Sequence, residues 1–134
     1  MNYELIITDL FCKLGICKYY IGIDYITYAM ELIDTDKQYL YYVTKSLYID
    51  IAKEFNTTPT CIEKNIRTLI NRIWKYAYKC SNIIVEVFGD KFLYVKPSNK
   101  EFLQRIYYHV KRQEKFLSEN KLCPYCNVKC VLFK

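Results

Sequence analysis

The chain has 134 residues, 52% hydrophobic and 25% charged, with a formal net charge of +6. That length supports one compact domain with a short appendage and excludes multi-domain schemes, while the composition excludes collagenous, low-complexity and disordered readings. The three glycines, Gly15, Gly22 and Gly89, fit no phosphate-cradling loop, which disfavours nucleotide-dependent enzymes.

Hydrophobic spacing predicts an all-α chain of about six helices with a Cys-containing C-terminal tail. The first helix carries Leu5, Ile6, Leu10 and Leu14 and stops at Gly15. A second runs from about Tyr20 to Ile33, with Ile23, Ile26, Met30 and Ile33 on one face and Asp34-Thr35-Asp36 ending it; its β-branched and aromatic start leaves strand as an alternative. A third, from Gln38 to Leu47, presents Leu40, Val43 and Leu47.

The stretch 47–78 is the most informative. Ile51, Ala52 and Phe55 make a short apolar face, Asn56-Thr57-Thr58-Pro59 breaks it, and Ile62, Ile66, Leu69, Ile70 and Ile73 form a sustained 3.6-residue stripe. Short helix, tight turn and long helix make a helix-turn-helix, with Ala52 and Ile62 where the two helices approach. Asn56 tolerates the left-handed conformation of a sharp C-cap, Thr58 suits an N-cap, and Pro59 suits the first helical position.

After Ser81, IIVEVF reads as a short helix or strand ending at Gly89, and FLYV as an extended return. The last long helix covers 97–117, because Ser98 and Glu101 have capping-box spacing and Phe102, Ile106, Val110 and Phe116 follow as its buried side. The expected division is a helix-turn-helix domain over 1–117 and a tail over 118–134.

Charge is unevenly placed along this order. Residues 1–60 carry five Lys and no Arg against eight acids, net −3, whereas 61–134 carry fifteen basic against six acidic residues, net +9. A basic half seeks a polyanion, nucleic acid first and an anionic surface second. No apolar run approaches the roughly 20 residues that span a bilayer, and the acidic start MNYELIITDL is unlike a signal peptide. A cytoplasmic protein with no membrane partner is expected. Seven cysteines at irregular spacing point to reduced thiols. The fifteen tyrosines are expected mainly in the core or at its boundary.

On the long helix, Glu63, Lys64, Arg67, Thr68 and Asn71 lie opposite the apolar stripe, and Glu63, Arg67 and Asn71 follow an i, i+4, i+8 row that can track a DNA groove. Arg can fork onto guanine O6 and N7, Lys can reach the same atoms, and Glu can accept from cytosine N4. The plainer alternative is a solvated face with an ordinary Glu63–Arg67 ion pair.

These residues carry a resemblance. LYIDIAKEFNTTPTCIEKNIRTLINRIW resembles the helix-turn-helix of the C-terminal DNA-binding effector domain of stage-zero sporulation protein A, the response regulator that initiates endospore formation in Firmicutes. LGICKYYIGIDYITYAMELI is similar to the family's opening helices, and FGDKFLYVKPSNKEFLQRI to its Phe-Gly, Lys-Pro and final-helix pattern, so about residues 5 to 115 are covered. The resemblance implies a six-helix effector domain that places the helix from Pro59 in the major groove of a promoter box. It implies base contacts from Glu63 and Arg67, with Lys64 and Cys61 standing where the family has Arg, which alters the preferred site because Lys lacks the planar fork. Ile49 replaces the family's Pro at the start of the preceding helix. Thr58, Thr60 and Lys96 are the implied phosphate contacts. The residues before the match are too few for the family's receiver domain, so control by phosphorylating an aspartate there is not expected.

The tail holds Cys123, Cys126 and Cys130. Three thiolates at this spacing suit zinc only with a fourth ligand, and Cys123-Pro124-Tyr125-Cys126 also has the form of a redox dithiol without its βαβ setting; reduced, uninvolved cysteines are the third reading. No other cofactor is expected. His109, the only histidine, has no Ser or Cys partner at a diagnostic spacing and reads as a surface or boundary residue, so no enzyme is expected. The sequence therefore points to a sequence-specific transcriptional regulator that binds double-stranded promoter DNA, as a homodimer or in tandem copies, with RNA polymerase as a further partner. The alternative is an interaction module that modulates a regulator or polymerase without reading DNA itself.

Overall fold

In the computed structural model, which describes residues 3–120, α1 (Tyr3–Lys13) buries Tyr3, Ile6, Ile7, Leu10 and Phe11. It ends in a Schellman motif: Gly15 takes φ 89°, its N–H donates to the Cys12 carbonyl, and the Ile16 N–H donates to the Phe11 carbonyl at 2.8 Å. The second segment is helix rather than strand, α2 (Ile21–Thr35), with Gly22, Tyr25, Ile26, Ala29, Met30 and Ile33 buried. Gly22 is needed for contact. A Cβ there would stand 2.8 Å from Leu69 Cδ1 and 3.1 Å from the Asn65 carbonyl oxygen.

The expected third helix is not continuous. Lys37–Leu40 forms a single 3-10 turn, Tyr42 leaves helical geometry at φ −111° and ψ 51°, and Val43–Leu47 forms a wide π turn that runs straight into α3 (Tyr48–Glu54). The apolar spacing is honoured, since Leu40, Val43 and Leu47 are all buried. Side chains take the backbone groups that a helix would need: Asp36 accepts from the Gln38 N–H at 2.9 Å, and Gln104 donates to the Leu40 carbonyl at 3.1 Å.

Then comes the corner and α4 (Pro59–Lys75), whose stripe Ile62, Ile66, Leu69, Ile70 and Ile73 is buried against α2, α3 and the last helix. A 3-10 turn, Ala77–Cys80, leads into α5 (Ser81–Phe88). The FLYV stretch is not extended. Asp90–Leu93 closes a 3-10 turn because Phe92 is buried and its carbonyl accepts from the Trp74 indole N–H at 2.7 Å. Trp74, Phe88 and Phe102 form an aromatic cluster in which the Phe88 and Phe102 rings stack at 5.4 Å.

The central strut is α6 (Asn99–Asn120), which packs on α1, α4 and α5 through buried Phe102, Leu103, Ile106, Tyr107 and Val110. Its start is a complete capping box: Glu101 N–H donates to Ser98 Oγ at 3.2 Å and Ser98 N–H donates to Glu101 Oε1 at 3.0 Å. That backbone hydrogen bond lowers the Glu101 pKa.

Three expectations change here, the first being Phe116, which is exposed rather than on the buried side of α6. Seven of the described tyrosines are exposed rather than core or boundary: Tyr19, Tyr41, Tyr42, Tyr76, Tyr78, Tyr94 and Tyr108. Lysine and arginine heads over Tyr41 and Tyr76 occupy ring faces that core packing would otherwise cover. His109 is buried, not a surface residue, because it lies on the α6 face turned toward α1 and α5.

Burial, with the Arg112 and Lys13 charges beside it, pushes the His109 imidazole down to about 4. The folded chain therefore binds fewer protons than the unfolded one between that value and the ordinary 6.5. This contribution to stability is fully present above pH 6.5 and is lost as pH falls toward 4. Its loss is expected to be about 3 kcal/mol, and His109→Gln should flatten the denaturant-midpoint profile across that window. At the α2–α4 contact, Gly22→Val is expected to destabilise by about 1–3 kcal/mol, read as a lower denaturant midpoint at unchanged m-value.

Candidate nucleic-acid interface

The corner between α3 and α4 is built from four residues in a row, Asn56 to Pro59. Asn56 takes the left-handed conformation, φ 54°, its N–H donates to the Lys53 carbonyl, and the Thr57 N–H donates to the Ala52 carbonyl at 2.9 Å. Thr58 stands in extended geometry and its hydroxyl accepts from the Cys61 N–H at 3.2 Å, with Pro59 opening the helix. Ala52 and Ile62 are both buried beneath this turn.

Burial of the apolar stripe leaves Thr60, Glu63, Lys64, Arg67, Thr68 and Asn71 exposed on one polar face of α4. Arg67 Nη2 and Glu63 Oε1 lie 3.8 Å apart, with both side chains about half exposed. Such a pair is worth only about 0.3–0.5 kcal/mol, so separating it to contact a base is cheap. Thr68 is turned inward along the helix, its hydroxyl donating to the Lys64 carbonyl at 2.9 Å. Cys61 is half-buried, and Asn65 Nδ2 donates both to its carbonyl, at 2.8 Å, and toward its Sγ, at 3.4 Å. It stands at the edge of the polar face, where Tyr25 of α2 also interacts with its thiol.

The phosphate candidates separate into two ends. Thr58 and Thr60 lie at the amino end of α4, whereas Lys96 Nζ donates to Asn71 Oδ1 at 2.7 Å, about 16 Å further along the helix at 1.5 Å per residue. Thr58 uses its hydroxyl oxygen as the cap acceptor and keeps its hydrogen to donate outward.

Sequence reasoning missed the residue that locks this surface together. Asn99, buried at the first turn of α6, donates from Nδ2 to the Tyr48 hydroxyl at 3.0 Å and to the Glu63 carbonyl at 3.1 Å. One amide thus ties α6 to both helices of the helix-turn-helix. Its partners are 51 and 36 residues away, and no periodicity signals a pairing at that range. Also missed was the cluster at the carboxyl end of α4, where Arg72, Lys75 and Lys79 lie 6.0, 5.5 and 5.3 Å from the Tyr76 ring centroid. Among the described residues, none of these three cations has a carboxylate partner.

Residues 7–110 match the family described as the sporulation initiation factor Spo0A C terminal. The chain belongs to this family. The match starts inside α1, ends inside α6, and takes in the whole helix-turn-helix. The family is a DNA-binding transcription-factor domain of sporulation control and not an enzyme family, so the polar face of α4 belongs to a DNA-binding effector-type domain. Cys123, Cys126 and Cys130 lie outside both the match and the described residues. Among the described residues no group of three or more His, Cys, Asp or Glu is placed to hold a metal ion, and no helix is long and apolar enough to cross a membrane.

The Asn99 clamp carries a stability prediction. Asn99→Ala is expected to cost about 2 kcal/mol, because the Glu63 carbonyl and Tyr48 hydroxyl both lose their donor, whereas Tyr48→Phe should cost about half as much. Urea titration of the two variants beside the parent chain measures the difference.

Proposed function

We propose that this chain is a sequence-specific transcriptional regulator that reads a promoter box in double-stranded DNA with α4. The observation that carries the reading is the exposed row of Glu63, Lys64, Arg67 and Asn71, displayed by a helix whose opposite face is buried and whose amino end is set by a capped corner. In the major groove Arg67 forks onto guanine, Lys64 reaches guanine acceptors, and Glu63 accepts from cytosine. Asn71, released from Lys96, pairs with adenine. Thr58 and Thr60 at one end of α4 and Lys96 at the other grip phosphates and set the register. The basic half supplies the sequence-independent attraction that brings duplex and protein together. Tandem copies on adjacent boxes and a contact to RNA polymerase complete the regulatory reading.

A second reading, an interaction module without DNA readout, draws on the pairing of the same side chains with one another. Glu63 holds Arg67, Asn71 holds Lys96, and Lys64 lacks a planar fork. A salt-series titration separates the two, using a duplex that carries the sporulation regulator's box and a scrambled duplex of equal length and composition. The regulator reading expects preference for the box and a loss of about 1–3 kcal/mol on that duplex alone in Arg67→Ala. Equal losses on both duplexes remove Arg67 from base reading. Affinity that never rises above the non-specific level puts the interaction module first.

A further inference from the structure

A duplex that admits α4 into its major groove must carry its two sugar-phosphate rails past the two flanks of that helix. The reason is dimensional: a helix of about 10–12 Å fills a groove about 12 Å wide. On the Glu63–Arg67 flank the protein is open. A cavity of about 430 Å³ lies between α4, the Tyr41–Lys45 turn that precedes α3, and the amino end of α6. Its walls include Tyr41, Tyr42, Lys45, Arg67, Ser98 and Lys100.

Electrostatics and exposure both describe a site made for an anion. Three cations, Lys45, Arg67 and Lys100, face a single acid, Glu63, which Arg67 already holds in a loose exposed pair. Lys45 and Lys100 have no carboxylate within ion-pair distance among the described residues, and Lys100 Nζ lies only 6.0 Å from the Tyr41 ring centroid. Tyr41 and Tyr42 are 61% and 54% exposed, and among the described residues their hydroxyl groups have no hydrogen-bond partner, leaving them able to donate to phosphate oxygens. The amino end of α6 is closed by its own Ser98–Glu101 box, so the attraction comes from the lysines and not from the helix terminus.

We propose that this cleft is a second DNA contact, holding the phosphates of one strand beside the box, with Lys45 and Lys100 supplying charge and Tyr41 and Tyr42 supplying hydroxyl donors. The inference rests on α4 being the major-groove reader, since that placement brings the rail to this flank. The contact is sequence-independent. The Asn99 clamp joins the cleft to the Glu63 end of α4, so both contacts belong to one rigid surface.

The test is the salt dependence of binding by the full chain, compared with a Lys45→Ala, Lys100→Ala double variant and a Lys45→Arg, Lys100→Arg double variant, on the box and scrambled duplexes. Losing two phosphate contacts is expected to reduce the slope of log K against log salt by about 1.8, to weaken binding to both duplexes by the same factor, and to be reversed by the arginine variant. Among the described residues neither lysine side chain makes a hydrogen bond or ion pair, and the exposed Lys100–Tyr41 ring contact is worth at most about 1 kcal/mol, so the thermal unfolding midpoint should move by only a few degrees and serves as the folding control. An alanine variant with the parent's slope overturns the cleft while leaving the α4 reading intact. A loss confined to the box also overturns it, since a backbone contact cannot discriminate sequence. A parent chain that shows no salt-dependent binding to either duplex overturns the α4 reading and the cleft together.

Discussion

Everything in this molecule depends on how one helix is buried. The five residues of the α4 stripe are at most 2% exposed, held by α3 across the corner, by α2 at the Gly22 contact, and by α6 beneath. Interiors are close-packed, so α4 has no freedom to turn about its axis. A shift of a single residue would rotate it by about 100° and carry Arg67 toward the core, where an unpaired guanidinium is prohibitive. The same packing that stabilises the domain therefore selects which side chains face outward. Stability and the candidate binding surface are two consequences of one constraint.

The outward surface is ordered but lightly held. Glu63–Arg67 and Lys96–Asn71 are exposed pairs, in which each group stays near water and is screened by salt. Exchanging them for contacts to bases or phosphates gives up little. By contrast the supports behind them are buried or half-buried: the Asn99 amide, the half-buried Trp74 indole on the Phe92 carbonyl, and the stacked Phe88 and Phe102 rings. Rigid backing with weakly committed tips suits a surface that must present several donors at once in a fixed pattern.

Charge and aromatic rings follow the same plan. The acidic half of the chain builds α1, α2 and α3, while the basic half builds α4 to α6; Lys64 and Arg67 stand on the polar face of α4, Lys96 beside its Asn71, and Arg72, Lys75 and Lys79 at its carboxyl end. Exposed tyrosines stand at both flanks, Tyr41 and Tyr42 beside the cleft and Tyr76 and Tyr78 beyond the carboxyl end. The rings of Tyr41, Tyr76 and Tyr78 carry cations that have no carboxylate among the described residues, which keeps that charge available to a polyanion.

Local signals in the sequence determined a good deal. The apolar stripe of α4, the left-handed Asn56, the Thr58 cap, the Ser98–Glu101 box and the Gly15 stop are each set by residues within a few positions of one another, so they can be read without knowing the fold. The motif order that places the chain in its family is equally linear. Long-range partners decided the rest. Gln104 taking the Leu40 carbonyl divides what periodicity reads as one helix, and Trp74 taking the Phe92 carbonyl closes a turn where the FLYV run reads as an extended return. Burial of His109 and the Asn99 clamp likewise depend on α6 passing behind elements from both halves of the chain. Sequence determines what each segment favours by itself; only tertiary structure decides where a backbone group finds a partner dozens of residues away, because an unmet buried donor or acceptor costs more than local propensity supplies.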